Sequence, residues 1–537
     1  MRDVIIIGGG HNGLVAAAVL AKAGVKPLVL ERSERVGGCA ITSEIIPGFR
    51  CSTLAHRAAI DPAIVRDLEL ERHGLEIVRP SALALAPAVD GRLLTLWSDT
   101  PRACRDIAAF SPRDADRYPR FLGSFAALSG LLRSLATSIP PSIEKPTPSD
   151  LLGILETTRK FRALGRSDGY RLLRWLPMPV ADLVREWFES EPLLAMIAAG
   201  GTVGSFVGPR SPGSAAVLLM LGTAEAHPVA QGWSARGGIG AVSEALANAA
   251  RRAGAEVRVN ACVQEIIVDK GAAAGVVLST GERIDARHVL SNADPRRTLL
   301  GLIDSVHLPR EFSRLVRNIR VRGALAKVNF AVSSLPRLTG LDRLDERARA
   351  AALSGRVRLC PDIDAMERAF DASKYGRYAD EPWIELTIPS IDDPELAPSG
   401  LHVVSAYVQF APYALRGTTW DAEKERFGQV VTSTIAKWAP GFEQSVLGRQ
   451  IITPLDLERT YGLSGGHIFH GELALDQLLI ARPLLGWSQY QTPIRNLFLC
   501  GAGSHPGTGL DGRAGLLAAK ALLKTVRARR PARSVSS

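Results

Sequence analysis

The sequence predicts an α/β protein in which a parallel-sheet domain is interrupted by a second domain of mixed α+β character and then completed. Three observations carry this. A β-branched run, a glycine-rich turn and an Ala/Leu-rich helix follow one another over residues 4–23. The same order returns over residues 496–523. Between the two lie further strand and helix patterns. A length of 537 residues alone suggests about three or four units of ~150 residues each. Two matching units at opposite ends of the chain instead imply two interleaved domains.

Composition sets the outer bounds. With 46% hydrophobic and 22% charged residues, the chain can bury a large core without disulfide staples and is not a disordered polymer. No apolar run approaches the ~18–20 residues of a membrane span. The six cysteines, Cys39, Cys51, Cys104, Cys262, Cys360 and Cys500, are scattered with no C-x-x-C pair. That spacing suggests neither a zinc ribbon nor a redox dithiol, and scattered thiols fit a reducing compartment. The chain enters a strand at once, without a signal-peptide pattern, so a cytoplasmic protein is expected. The net charge of +11 is spread along the chain. Its one dense run is Arg527, Arg529, Arg530 and Arg533, expected as a disordered tail. Without aromatic–basic interleaving, nucleic acid is not an expected partner. An anionic ligand, or peripheral contact with a membrane surface, stays open. Oligomeric state is not readable.

The first unit carries the most chemistry. Val4 to Ile7 reads as a strand buried on both faces. Gly8-Gly9-Gly10-His11-Asn12-Gly13 follows, then a helix from Leu14 to Ala23, Gly24, a second strand from Pro27 to Leu30, and Glu31. Gly8 permits the tight turn, Gly10 lets backbone approach a pyrophosphate, and Gly13 lets the helix pack on the strand. The helix N-terminus offers free N–H groups to the anion. Glu31 can accept hydrogen bonds from a ribose 2′-OH and would repel a 2′-phosphate. In this context G-x-G-x-x-G is a strong Rossmann-like dinucleotide fingerprint. Arg32 and the later pair Gly37-Gly38 extend it in a way that resembles two-dinucleotide-binding-fold flavoproteins, where the backbone makes a second close approach to the cofactor.

Residues 105–225 read as mostly helical, with amphipathic stretches Ser124 to Ala136, Ser149 to Leu164 and Val180 to Ala199. Arg236-Gly237-Gly238 then opens a helix from Ala241 to Ala253. Short strands follow at Val257 to Val259, Val263 to Val268, Gly275 to Leu278 and Arg283 to Leu290. Further on, Leu325 to Val332, Trp383 to Pro389 and His402 to Gln409 read as strands and Trp420 to Trp438 as a helix. Gly465-Gly466-His467-Ile468-Phe469-His470-Gly471 reads as a turn with exposed histidines. No metal site is expected there, because further ligands of clear spacing are missing.

The final unit runs from the strand Asn496 to Cys500 through Gly501-Ala502-Gly503-Ser504-His505-Pro506-Gly507-Thr508-Gly509-Leu510-Asp511-Gly512 into a helix from Ala514 to Leu523. A second cradling loop is unexpected for a simple NAD dehydrogenase and natural for a flavoprotein. The first loop would take the ADP half of FAD and the last would lie under the ribityl-isoalloxazine half. Together with Ser291-Asn292-Ala293-Asp294-Pro295, these motifs resemble the phytoene desaturase-like FAD-dependent oxidoreductases. Within them the chain is similar to the pyridine nucleotide-disulfide oxidoreductase domain-containing protein 2 group. That closer resemblance rests on Gly10 to Ala17, Glu44 to Phe49, Thr453-Pro454-x-Asp456-Leu457-Glu458-Arg459-Thr460 and Gly465 to Glu472.

The resemblance implies a discontinuous FAD domain (1–85, 228–300 and 485–537) with a substrate or helical cap domain inserted between its pieces (86–227 and 301–484). It implies FAD contacts from Gly8, Gly10, Asn12, Gly13, Glu31, Arg32, Gly37, Gly38, Gly501, Gly503, Leu510 and Asp511. It also places Val263 at the adenine end through its backbone. Without paired cysteines, a disulfide-reductase mechanism is not expected.

The expected function is FAD-dependent dehydrogenation, desaturation or isomerisation of a small apolar or lipid-like molecule by hydride transfer to flavin. The competing readings are a flavin-binding regulatory protein, a carotenoid desaturase and an amine oxidase-like enzyme. The catalytic candidates are His505 in the last loop, Arg57 as a partner for an anionic substrate or the flavin, and Lys327 near flavin N5. Each has a plain alternative: a loop-structural histidine, a surface arginine and an exposed strand lysine. Aliphatic pocket walls would favour a lipid substrate, and convergent Arg and His an acid.

Overall fold

Strand Arg2–Ile7 explains the first architecture. Its side chains alternate between two cores: Val4 and Ile6 face one, Ile5 and Ile7 the other. A run with no polar alternation is what a sheet covered on both faces requires. The computed structural model describes residues 1–143, 146–230 and 232–528. In it, Arg2–Ile7 lies parallel between Pro27–Leu30 and Arg283–Ser291. Glu256–Arg258 extends one side of the sheet in parallel and Leu497–Leu499 the other. Arg283–Ser291 is long enough to change partners. Its first residues pair antiparallel with Ala272–Leu278, which pairs in turn with Val263–Asp269. Helices His11–Lys22, Ile239–Arg252 and Arg513–Ala528 cover one face, burying Leu14, Leu20, Val242, Leu246, Leu517 and Leu522.

The second sheet runs in the order Val446–Ile452, Leu325–Val332, His402–Gln409, Ile384–Thr387, Arg356–Leu359, Ala82–Pro87, Leu93–Trp97. It is antiparallel except where Arg356–Leu359 meets Ala82–Pro87. One face is apolar: Ala326, Val328, Phe330, Val404, Ala406 and Val408 pack with Phe427, Val431 and Ile435 of helix Trp420–Trp438. The opposite face carries Lys327, Tyr407, Glu385 and Arg358 as a row of direct cross-strand neighbours. Helices between Thr100 and Gly222 build a third core around Phe121, Phe125, Trp175 and Leu218.

Three expectations change. The boundary expected at residue 85 falls inside strand Ala82–Pro87, which belongs to the second sheet. The helix expected from Val180 to Ala199 is two helices, Val180–Trp187 and Glu191–Ala198. Pro192 cannot continue a helix, and the buried Asp114 carboxylate accepts from Glu189 N (3.0 Å) and Ser190 N (2.9 Å) in the break. Arg527, expected in the basic tail, belongs to helix Arg513–Ala528, while Arg529, Arg530 and Arg533 lie outside the described residues. Among the described residues no helix is long and apolar enough to cross a membrane.

Candidate cofactor and substrate cavity

The first glycine turn is shaped by contacts a side chain would destroy. Gly8 has φ +92°, and a Cβ on Gly13 would lie 2.3 Å from the Gly8 carbonyl oxygen. Strand and helix therefore touch through bare backbone, which aims the start of the His11–Lys22 helix at a cavity of about 310 Å³. Gly8, Gly10, Asn12, Glu31, Arg32, Gly37, Gly38 and Val263 line that cavity. Gly13 does not; its part is the helix–strand contact. A Cβ on Gly10 would meet Asn292 Nδ2 at 2.8 Å, so Gly10 also makes room for that side chain.

Glu31 is buried. Its Oε2 accepts from Gly9 N (2.7 Å) and its Oε1 from Ser33 N (2.9 Å). These bonds fix a carboxylate at the end of the second strand, facing the cavity beside Ala261, Cys262 and Val263. Arg32 donates to the Thr460 carbonyl, which ties the site to the second domain.

The closing loop contributes Leu510 and Asp511, again as cavity lining. The Asp511 carboxylate accepts from the Thr508 hydroxyl and from Arg513 N (2.9 Å). Ala59 N donates to the Leu510 carbonyl (3.0 Å) and Asp61 N to the Asp511 carbonyl (3.0 Å), which joins the closing loop to the first unit. Gly501 and Gly503 do not line the cavity. A Cβ on them would strike the Asn292 carbonyl at 2.5 Å and Pro295 Cδ at 2.2 Å, so they are packing glycines. Buried Arg482 locks the same loop in place, donating to the carbonyls of Ala502, Phe469, Gly471, Glu472 and Gln477.

The catalytic candidates separate. His505 is away from the cavity; its Nδ1 lies 3.2 Å from the Leu479 carbonyl oxygen and its Nε2 3.1 Å from that of Leu135. It is a loop-structural histidine. Lys327 is not an exposed strand residue. It is fully buried, donates to the carbonyls of Ser52 (3.0 Å) and Leu54, and lines a small side cavity rather than the main one. Burial lowers its pKa to about 8. Arg57 does line the main cavity, together with His56, Arg356, Glu385 and Tyr407.

His56 stacks on Tyr407 with ring centroids 3.7 Å apart, and His56 N donates to the Tyr407 hydroxyl (3.1 Å). Both His56 ring nitrogens are buried without a hydrogen-bond partner among the described residues. The nearest carboxylate oxygen, Glu385 Oε1, is 3.7 Å from Nδ1, beyond hydrogen-bond reach. Burial, reinforced by Lys327, lowers the imidazole pKa to about 3, so it is neutral at neutral pH. Burial opposes ionisation of Glu385, but Arg356 and Arg358 outweigh it and hold the carboxyl below the usual range. His467 and His470 are not exposed. His467 is buried and His470 faces the cavity.

Several lining residues had no site role assigned from sequence: His11 and Asp294, which stand within the quoted motifs, and Glu385, Arg356 and Tyr407. The strand residues left a signal, because Arg356 and Arg358 alternate with Val357 and Leu359. That alternation alone does not say which face is buried. An apolar part of the wall is formed by Leu54, Val203, Leu221, Leu463, Ile468 and Phe469.

The chain fits a dinucleotide on its own geometry. Bare glycine backbone, a helix start and a fixed carboxylate line the same cavity, as does His470, whose Nδ1 is buried without a hydrogen-bond partner among the described residues. No cluster of three or more His, Cys, Asp or Glu suited to a metal occurs among the described residues.

Known proteins share this arrangement of motifs. Residues 6–64 match the model of the NAD(P)-binding Rossmann-like domain, and residues 181–523 that of the flavin containing amine oxidoreductases. The chain is 38% identical to pyridine nucleotide-disulfide oxidoreductase domain-containing protein 2 of Rattus norvegicus, over 98% of this chain and 94% of that protein. It is 27% identical to a limonene dehydrogenase component of Castellaniella defragrans, over 96% of this chain and 94% of that protein. The crystal structure of an oxidoreductase from Methanosarcina mazei shares the fold. Its TM-score is 0.60 at 17% identity, covering 97% of this chain and 100% of that one.

Proposed function

Since this chain belongs to the flavin containing amine oxidoreductase family, we propose that it binds FAD and dehydrogenates or desaturates a small, largely apolar molecule. The observation that carries this reading is one continuous cavity with two kinds of wall. Glycine backbone, Asn12 and Glu31 line one stretch; Val203, Leu221, Ile468 and Phe469 line another. Gly8, Gly10, Gly37 and Gly38 would hold the diphosphate, Glu31 the adenosine ribose, and Leu510 and Asp511 the ribityl side. Bound FAD would supply hydride acceptance. The residues of the chain then bind and orient the substrate, while the apolar wall excludes water. The relative named for limonene points to the same substrate character.

Amine oxidation is the competing reading. Arg57, Arg356 and Arg513 line the cavity beside Glu31, Asp294, Glu385 and Asp511, so the substrate panel, not the lining charge, separates the two. A purely regulatory flavin protein is separated from an enzyme by turnover. Helix Pro148–Ala163 exposes Leu151, Leu152, Ile154 and Leu155. This supports peripheral contact with a lipid surface as the route by which an apolar substrate arrives.

The test is anaerobic flavin reduction. Protein purified with added FAD should show a bound-flavin spectrum. Bleaching of the visible flavin band should follow addition of an apolar substrate from a panel of terpenes, fatty acyl compounds and amines. A protein that retains no FAD and shows no FAD-dependent thermal shift would remove the proposal. Bound flavin without reduction by any compound would favour the regulatory reading.

A further inference from the structure

We propose that the main cavity recognises a carboxylate on its otherwise apolar substrate, at a subsite formed by Arg57, His56 and Arg356. The inference rests on the function proposed above and names the substrate class.

The first argument is unmet hydrogen bonding. Arg57 spends Nη2 on the Ser354 carbonyl (2.8 Å), while its Nε is buried without a partner among the described residues. Both His56 ring nitrogens likewise lack a partner within hydrogen-bond distance among them, Glu385 Oε1 lying 3.7 Å from Nδ1 and acting on the ring electrostatically. A buried polar group without a partner costs free energy, and these atoms belong to side chains that line the cavity. The neutral imidazole has one N–H to donate, and its stacking on Tyr407 fixes the ring plane.

The second argument is charge. Arg57, Lys327, Arg356 and Arg358 form a buried basic group. The carboxylates that act on Arg57 are Asp392, Glu385 and Glu225. Glu385 is engaged by Arg358 (2.9 Å) and Arg356 (3.7 Å). Asp392 lies towards Arg57, and Asp393 accepts from Gly237 N (2.6 Å). Lys327 is held by the Ser52 and Leu54 carbonyls and lies over the Tyr407 ring. Of these groups only Arg57, Arg356 and Glu385 line the main cavity, two cations beside one carboxylate. A carboxylate entering the cavity would meet a wall that contains the Arg57 guanidinium and the His56 ring, groups that give strong charge-assisted bonds to a carboxylate. A neutral hydrocarbon would leave Arg57 Nε and the imidazole N–H unmet.

The experiment titrates FAD-loaded protein with decanoate, methyl decanoate, decanol and decylamine, reading perturbation of the flavin absorbance. Decanoate should bind more tightly than its ester, alcohol or amine by on the order of tenfold. Arg57→Met should remove that advantage and leave the decanol titration within about twofold. Arg57→Lys should recover part of it, and His56→Gln should weaken decanoate selectively. Equal binding of decanoate and its ester, or variants with unchanged preference, would overturn the inference while the flavin-enzyme reading stands. Loss of bound FAD in both Arg57 variants would also overturn it, because Arg57 would then serve the cofactor. Failure of the unaltered protein to hold FAD would instead remove the underlying function.

Discussion

At Gly13 a single hydrogen atom separates a folded site from a collision. Gly13→Ala places a methyl group against the Gly8 carbonyl and should destabilise the fold by about 1–3 kcal/mol. Thermal unfolding with and without FAD measures both that loss and the weaker cofactor binding expected from a displaced helix start. Glu31→Ala acts differently. It leaves Gly9 N and Ser33 N without their acceptor, at about 1–3 kcal/mol for the buried Gly9 donor, and should lower retained flavin in the purified protein. Both residues were legible in the sequence because their roles depend on neighbours within about 30 residues. Lys327 was not. Its alternation in an apolar strand fits a solvent face equally well, and only the packing of residues 52–54 against it decides the matter. His505 was left between a catalytic and a loop-structural reading for the opposite reason. Its loop was found, but the carbonyls of Leu135 and Leu479 that claim its ring come from far away in sequence.

Elements built from local pattern were read closely: Leu325–Val332, His402–Gln409 and Trp420–Trp438 have the bounds their sequences suggested. Elements governed by distant partners were not. The break at residues 188–190 is held by Asp114, some 75 residues earlier. Asp114→Ala removes the acceptor of two backbone N–H groups and of the Ser190 hydroxyl. The expected cost is about 2–4 kcal/mol, seen as a lower thermal midpoint with little change in flavin content. Strand Ala82–Pro87 was also invisible as part of the second sheet, since its partner Arg356–Leu359 lies far along the chain.

For the whole molecule, buried histidines set the response to acid. Burial, as the largest cause, lowers His56 and His467 to about 3 and His227, His470 and His505 to about 4. In the unfolded chain they titrate near 6.5. Between about 6.5 and about 4 the unfolded state binds more protons than the folded one, so stability rises with pH and falls as acid is added. Each histidine contributes up to ~1.4 kcal/mol per pH unit across that window. Thermal midpoints at neutral pH and near pH 5 should differ steeply, and His227→Phe should flatten the slope. A flat profile would mean that these rings are already solvated.

The placement of Leu497–Leu499 beside Arg283–Ser291, with the loop after it closing the cavity, has a consequence for biosynthesis. A ribosome delivers the fingerprint turn first and the segment that completes the pocket hundreds of residues later. The nascent chain must therefore keep a half-built parallel sheet unpaired, and free of aggregation, until its last strand emerges. If the cavity holds the proposed FAD, its capture is a late maturation step, and FAD supply at that moment should govern how much of the protein survives quality control.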